Sequence, residues 1–413
     1  MTVRTIAFSV LTFLLFSVFG ADVFSQTDST RQSPSVETAP VKEKSWYEKI
    51  SIRGYTQVRY NRLLETNPKL KCEQCDKSWG ENGGIFIRRS RIVFSGDVSP
   101  RVYVYLQPDF AASASGTALN FLQMRDAYFD LSLTKDKAYR LRLGQSKIPY
   151  GFENMQSSQN RLPLDREDAI NSALANERDL GAFFYWAPPK IRERFSHLTK
   201  AGLKGSGDYG VLALGTFNGQ TANKPELNNS LHYVGRLTYP FQLKNGQIFE
   251  PGIQAFTGRY VIPTDQISAG LNVPNREFLD QRAAASLVVY PQPFGFQAEY
   301  NVGVGPEFNP ETKTIESKKL EGGYAMIMYK FDIKKQHFIP FIRTQYYEGG
   351  KKHETDARKY LVREHEFGFE WQPFNSFELT AMYTISDRTF EDYKLPINRQ
   401  QGNLLRLQVQ FNY

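Results

Sequence analysis

Arg140 and Arg142 alternate with Leu141 and Leu143. In an extended segment this spacing places two guanidinium groups on one face and two leucines on the other. The arrangement recurs along the chain. Arg53 and Arg59 share a parity against Ile52, Thr56, Val58 and Tyr60, and Arg236, Arg343 and Arg406 occupy polar parities further on. Arg88, Arg89 and Arg91 crowd one segment whose parity is ambiguous, and a bulge would reconcile them. A guanidinium is a planar fork suited to paired hydrogen bonds with an oxyanion. Charges among membrane-facing neighbours are costly unless they face water or a partner. Arginines on polar parities therefore describe a water-filled bore with a positive field. The competing account pairs them with interior carboxylates such as Glu299 and Glu378.

Other chemistry is thin. His197, His232, His337, His353 and His365 are scattered, and none stands at a metal-ligand spacing from another His or Cys. His365 shares the apolar parity of Phe367, Phe369 and Trp371, which suits an interfacial side chain better than a catalytic one. Cys72 and Cys75 form a CxxC pair in a polar stretch. In an oxidising compartment that spacing reads as a loop-stiffening disulfide, and a half zinc site would lack its second ligand pair. The residues imply no enzyme, no cofactor and no metal.

The elements that must carry these arginines are strands. In the last ten residues Leu405, Leu407, Val409, Phe411 and Tyr413 take one parity, and Arg406, Gln408, Gln410 and Asn412 the other. An unprotected edge strand of that kind invites aggregation in a soluble protein. As the closing strand of a membrane barrel it pairs with the first strand and turns its apolar parity to lipid. Similar alternation marks 51–63, 85–96, 101–110, 121–133, 139–148, 179–187, 209–218, 231–241, 248–261, 281–290, 294–305, 321–331, 337–348, 361–372, 377–390 and 404–413. Sixteen segments of near spanning length predict an all-β fold, a transmembrane antiparallel β-barrel. Short connections (97–100, 134–138, 291–293, 332–336, 373–376) alternate with long ones (64–84, 111–120, 149–178, 262–280, 306–320, 349–360, 391–403). The exception is 188–208, long on the short-turn side, where either a short helix near 191–198 or a miscounted strand would account for the length.

Composition agrees. Mean hydropathy is −0.47 and the net charge +8, with 31 Phe and 23 Tyr but only 4 Trp. Low hydropathy excludes a bundle of membrane helices but not a barrel whose strands alternate. The basic residues are spread singly rather than in blocks, which excludes the usual nucleic-acid footprint. Residues 1–25, with Arg4 before an apolar run over 6–19, read as a signal peptide, so the chain is exported. Residues 26–49 read as a disordered periplasmic lead-in and 50–413 as the barrel.

Several short marks then occur in order: Arg53-Gly54-Tyr55, Arg88-Arg89-Ser90-Arg91, Asp126-Ala127-Tyr128, Gly144-Gln145-Ser146-Lys147-Ile148-Pro149-Tyr150-Gly151, Arg178-Asp179-Leu180-Gly181 and Phe217-Asn218-Gly219. With them, residues 50–413 resemble the phosphate-selective porin O/P family of Gram-negative outer membranes. The resemblance implies a sixteen-stranded barrel, a homotrimer in outer-membrane lipid, and a third long loop folded inward as a constriction. Here that loop is 149–178, with basic residues Arg161, Arg166 and Arg178. It also implies a ladder of arginines conducting inorganic phosphate, polyphosphate or other small anions. Two departures stand out. Ser146 replaces an expected aromatic, and the loop carries Glu153, Asp165, Glu167, Asp168 and Glu177, an acidity that favours the alternative of a general diffusion porin.

Overall fold

The computed structural model describes residues 45–72, 82–111 and 121–413. Alternation sets its strands. In the last strand, β16 (Asn398–Asn412), Leu405, Leu407, Val409 and Phe411 face outward while Leu404, Arg406, Gln408 and Gln410 are buried inward. The free edge of β16 pairs antiparallel with β1 (Ser51–Leu63), Thr56 opposite Phe411 and Arg59 opposite Gln408. The sheet thus closes on itself and leaves no unpaired edge. Closure is tight at Gly54, which exchanges backbone hydrogen bonds with Tyr413. A Cβ there would stand 2.4 Å from the Arg91 carbonyl and 2.5 Å from the Tyr413 ring, so only glycine fits.

Between these ends run β2 (Ile85–Asp97), β3 (Val102–Asp109), β4 (Gln123–Ser132), β5 (Tyr139–Lys147), β6 (Arg178–Trp186) and β7 (Leu212–Phe217). Next come β8 (His232–Thr238, resuming at Phe241–Gln242), β9 (Ile248–Val261), β10 (Glu277–Val289) and β11 (Phe294–Asn309). The series ends with β12 (Thr314–Tyr329, resuming at Phe331–Ile333), β13 (Gln336–Gly350), β14 (Lys359–Phe374) and β15 (Phe377–Glu391). Both pieces of β8 pair with β9, and both pieces of β12 with β13. Counting each interrupted strand once, the eighteen segments of the single sheet make sixteen strands, each antiparallel to its neighbours in sequence. The expected barrel is the observed fold.

Three local outcomes differ from the sequence expectation or refine it. The stretch 306–320 is not a long loop: β11 and β12 continue as a paired hairpin, because Phe308 opposite Ile315 forms a buried cross-strand pair packed on Tyr260 and Phe278. The long exception on the short-turn side is α3 (Pro189–Lys200), whose Ile191, Phe195 and Leu198 lie on one buried stripe. Trp46–Lys49, at the end of the expected lead-in, form a 3₁₀ turn in which Ser45 N donates to Glu48 Oε2 at 2.6 Å. The expected signal peptide and the rest of the expected lead-in fall outside the described residues.

The connection between β5 and β6 decides what the barrel can do. Loops ordinarily lie on the surface because their backbone needs water. Here nearly every residue from 148 to 177 is buried, including all of α1 (Phe152–Met155) and α2 (Asp168–Ala173). The segment folds into the barrel, as expected. On one side Ile148, Tyr150, Ile170 and Leu174 pack on Phe183, Tyr185, Phe217 and Phe256 of the wall, and burying each such side chain contributes about 1.5–3 kcal/mol. On the other side the loop is held by ions.

Candidate functional site

Those ion pairs explain the acidity of the loop. Arg343 Nη1 donates to Glu153 Oε1 at 2.7 Å, and Arg59 Nη1 to Asp165 Oδ1 at 3.3 Å. Arg406 also bonds to Asp165, and Asp168 receives Arg388 Nη2 at 2.7 Å together with Lys351. Arg343 and Arg388 are each shared with wall carboxylates, Glu366 at 2.5 Å and Glu364 at 2.7 Å. Arg282 reaches the Ser172 hydroxyl at 2.6 Å and the Ser172 carbonyl at 3.1 Å. Loop carboxylates thus serve as anchors to β1, β13, β15 and β16. Glu299 and Glu378, the wall acids expected as arginine partners, hold other groups: Glu299 accepts from the Phe152 N–H and Glu378 from Gln410 and Asn412.

Charge in the loop follows its contacts. Glu167 caps α2 by accepting from Ala169 N and Ile170 N at 2.6 and 2.8 Å. Burial pushes its carboxyl well above the usual range, with Glu153 and Glu299 adding to the shift. Asp168 goes the other way. Burial raises it, but Arg388 and Lys351 outweigh burial and hold it at about 2.

The β2–β6 wall is different, because the loop does not cover it fully. Tyr105 and Tyr128, stacked with centroids 5.1 Å apart, and Tyr209 are only half-buried on inward-facing positions. Arginines run beside them. Arg142 forms a two-pronged contact with Asp130 at 2.7 and 2.9 Å, and its guanidinium lies 3.8 Å from the Tyr128 ring centre. Arg91 meets Asp109 at 2.7 Å, and Arg178 meets Asp126 at 2.9 Å. Arg140 reaches Asp208 at 2.7 Å, and exposed Arg53 lies 5.8 Å from the Tyr105 ring. Arg91, Arg140 and Arg142 are each fixed between a carboxylate and an aromatic face, a combination that holds geometry while leaving donors for a third group.

Arg59, Arg88, Arg89, Arg91, Arg140, Arg142, Arg161, Arg166, Arg178, Arg236, Arg343 and Arg406 are all buried, and Arg53 lies exposed near the start of β1. The bulge in β2 is real: Gln57 pairs with Arg89 and Val58 with Ile87, so Arg88 and Arg89 both turn inward. These residues do not gather in one place. Arg59, Arg343 and Arg406 anchor the loop, Arg236 binds Glu250 at 3.1 Å near the short-turn end, and Arg91, Arg140, Arg142 and Arg178 share the partly open wall.

Sequence reasoning missed Arg125, Lys147, Arg282, Arg388, Lys351 and Lys352, all buried. Arg282 and Arg388 were legible, since each continues the polar parity of its strand. Arg125 was not, because a register shift opposite Gln107 and Pro108 turns both Arg125 and Asp126 inward. Lys351 and Lys352 lie between strands, where no period applies. Cys72 is disulfide-bonded and accepts from Arg388 Nη1 at 3.2 Å, while Cys75 falls outside the described residues. Among the described residues no three His, Cys, Asp or Glu side chains meet as a metal cluster.

The model of the phosphate-selective porin O and P family matches residues 71–413. No curated protein matches the chain. Among solved structures, the fold is similar to the outer-membrane channel DcaP of Acinetobacter baumannii, with TM-score 0.55 and 11% identity, covering 88% of this chain and 97% of that one. It is similar also to OmpF of Salmonella typhi in complex with daunomycin, with TM-score 0.53 and 13% identity over 90% of this chain and 99% of that one. OmpT of Vibrio cholerae gives TM-score 0.51 at 7% identity, over 88% and 97%.

Proposed function

We propose a transport role from one premise: the chain belongs to the phosphate-selective porin O and P family. In this reading it is an outer-membrane porin through which small anions, above all inorganic phosphate or polyphosphate, diffuse passively along the β2–β6 wall. The carrying observation is the row of Arg91, Arg178, Arg142 and Arg140 beside half-buried Tyr105, Tyr128 and Tyr209. Arg53 stands at the mouth of that path, and Arg88, Arg89, Arg125, Arg161 and Arg166 add to its positive field. The outward apolar rows meet lipid, and the chain works as a homotrimer after removal of its signal peptide. No cofactor enters the process.

The energetics suit passage rather than capture. One guanidinium–oxyanion contact at ~4 Å contributes about 4 kcal/mol at an effective dielectric near 20, before desolvation. Conduction needs each site to bind near millimolar, about −4 kcal/mol. Arginines already shared with Asp109, Asp126 and Asp130 offer an incoming anion modest sites in series. Those same carboxylates favour a second reading, a general diffusion porin with little phosphate selectivity. Chloride current through the purified protein, titrated with inorganic phosphate, separates the two. Block near millimolar phosphate supports the first reading, and an unaffected current with weak ion preference selects the second.

A further inference from the structure

Glu177 stands where the inner loop enters β6, enclosed by cations from the loop, β5 and β6. Lys147 Nζ lies 3.8 Å from its carboxylate, Arg161 Nη1 3.7 Å and Arg166 Nε 3.4 Å, and Arg178 hydrogen-bonds to it. Among the described residues this is one carboxylate facing four cations, all five side chains buried.

Lys147, Arg166 and Arg178 are also held by partners other than Glu177. Lys147 Nζ donates to the carbonyls of Asn154 at 2.8 Å and Gln156 at 2.5 Å. Arg166 donates to the carbonyls of Leu174 at 3.0 Å and Ala175 at 2.9 Å, and Arg178 is held by Asp126. Neutral carbonyls fix Lys147 and Arg166, Asp126 fixes Arg178, and Glu177 supplies the charge that faces all four cations. It does so from a disfavoured backbone: φ is +67°, and Glu177 is the one non-glycine residue of the inner loop in the left-handed region. Such outliers persist where surrounding structure imposes them, often at functional sites.

We infer that Glu177 is a tethered anion: its carboxylate occupies an oxyanion site formed by Lys147, Arg161, Arg166 and Arg178, and a permeating phosphate must exchange with it. The inference rests on the anion-transport reading and adds the residue that sets affinity. A cage of four cations without an internal anion would bind phosphate too tightly to release it, and conduction requires release. Exchange with a carboxylate that never leaves the protein keeps the site weak and its occupancy brief. Burial alone would raise the Glu177 carboxyl, yet Lys147, Arg166, Arg178 and Arg161 hold it well below the usual range, so it is ionised whenever phosphate is.

The test uses the full-length protein in planar bilayers, with inorganic phosphate titrated against chloride current in the wild type first. Two variants follow. Glu177→Gln removes the charge, and Glu177→Gly removes it while accepting the left-handed backbone. Phosphate should block either variant at about tenfold lower concentration than the wild type, the equivalent of about 1.4 kcal/mol. Phosphate should also raise the unfolding temperature of Glu177→Gly more than that of the wild type, a response a purely structural carboxylate would not produce. Unchanged or weaker block in an anion-preferring variant overturns the inference while leaving the transport reading intact. Failure of both variants to fold makes Glu177 a structural clamp and overturns it too. A wild-type channel indifferent to phosphate removes the transport reading itself, and this inference with it.

Discussion

Arg343 on β13 and Glu153 in the inner loop, 190 positions apart, meet at 2.7 Å with both side chains fully buried. That pair ties a loop from one side of the barrel to the opposite wall. Removing one partner leaves an uncompensated buried charge, which costs about 3–5 kcal/mol. Glu153→Ala should therefore lower the barrel's stability by that order in urea unfolding. Because Arg343 keeps Glu366, the loss should fall at the lower end of the range.

Arg142 is the guanidinium most firmly set between a carboxylate and an aromatic face on the partly open wall. Arg142→Ala should shift the reversal potential in a salt gradient toward cations, since Asp130 loses its closest cation. Arg343→Ala should instead act mainly on loop order and open-channel noise. Recording both variants side by side distinguishes permeation residues from anchors.

The anchoring pairs also predict a pH response. Asp168 is held at about 2 by Arg388 and Lys351 against the effect of burial. A depressed carboxylate contributes stability that is full above its unfolded value of about 4 and is lost as pH falls through the folded one. The loop should stay anchored from neutral pH down to about 4. Channel noise and conductance should change only as pH falls on toward 2. Conductance recorded across that range checks it, and Asp168→Asn should show the acid behaviour at neutral pH.

The helix on the short-turn side makes a different prediction. Phe195 and Leu198 of α3 pack in one cluster with Phe152 of the inner loop and Tyr290 of the wall. The segment that follows reaches across, Lys204 pairing with Glu370 at 2.5 Å and its carbonyl accepting from Gln156. Phe195→Ala should cost about 3–5 kcal/mol and raise single-channel conductance by loosening this end. A lower conductance would contradict the placement.

Much of this fold was readable because a barrel writes itself as alternation. The outward row Leu405, Leu407, Val409 and Phe411 and the inward row Arg406, Gln408 and Gln410 follow from parity alone, as does the burial of Arg140 and Arg142. The residues that failed did so for identifiable reasons. Arg125 turns inward through a register shift opposite Pro108, which no period announces. Lys351 and Lys352 lie in a connection. The partners were harder still: nothing local links Glu153 to Arg343 or Asp168 to Arg388. The acidity of the loop therefore pointed, in sequence, to weak anion preference. In the structure Glu153, Asp165 and Asp168 are held by wall cations away from the tyrosine-flanked arginines, Glu167 caps a helix, and Glu177 alone meets one of those arginines, Arg178.

The central claim is that arginines on the β2–β6 wall make the path prefer anions. Reversal potential across a potassium chloride gradient tests this most directly. The account predicts a potential of the sign set by chloride, reduced when Arg142 is replaced by alanine. A potential set by potassium, or none that responds to the gradient, would contradict it.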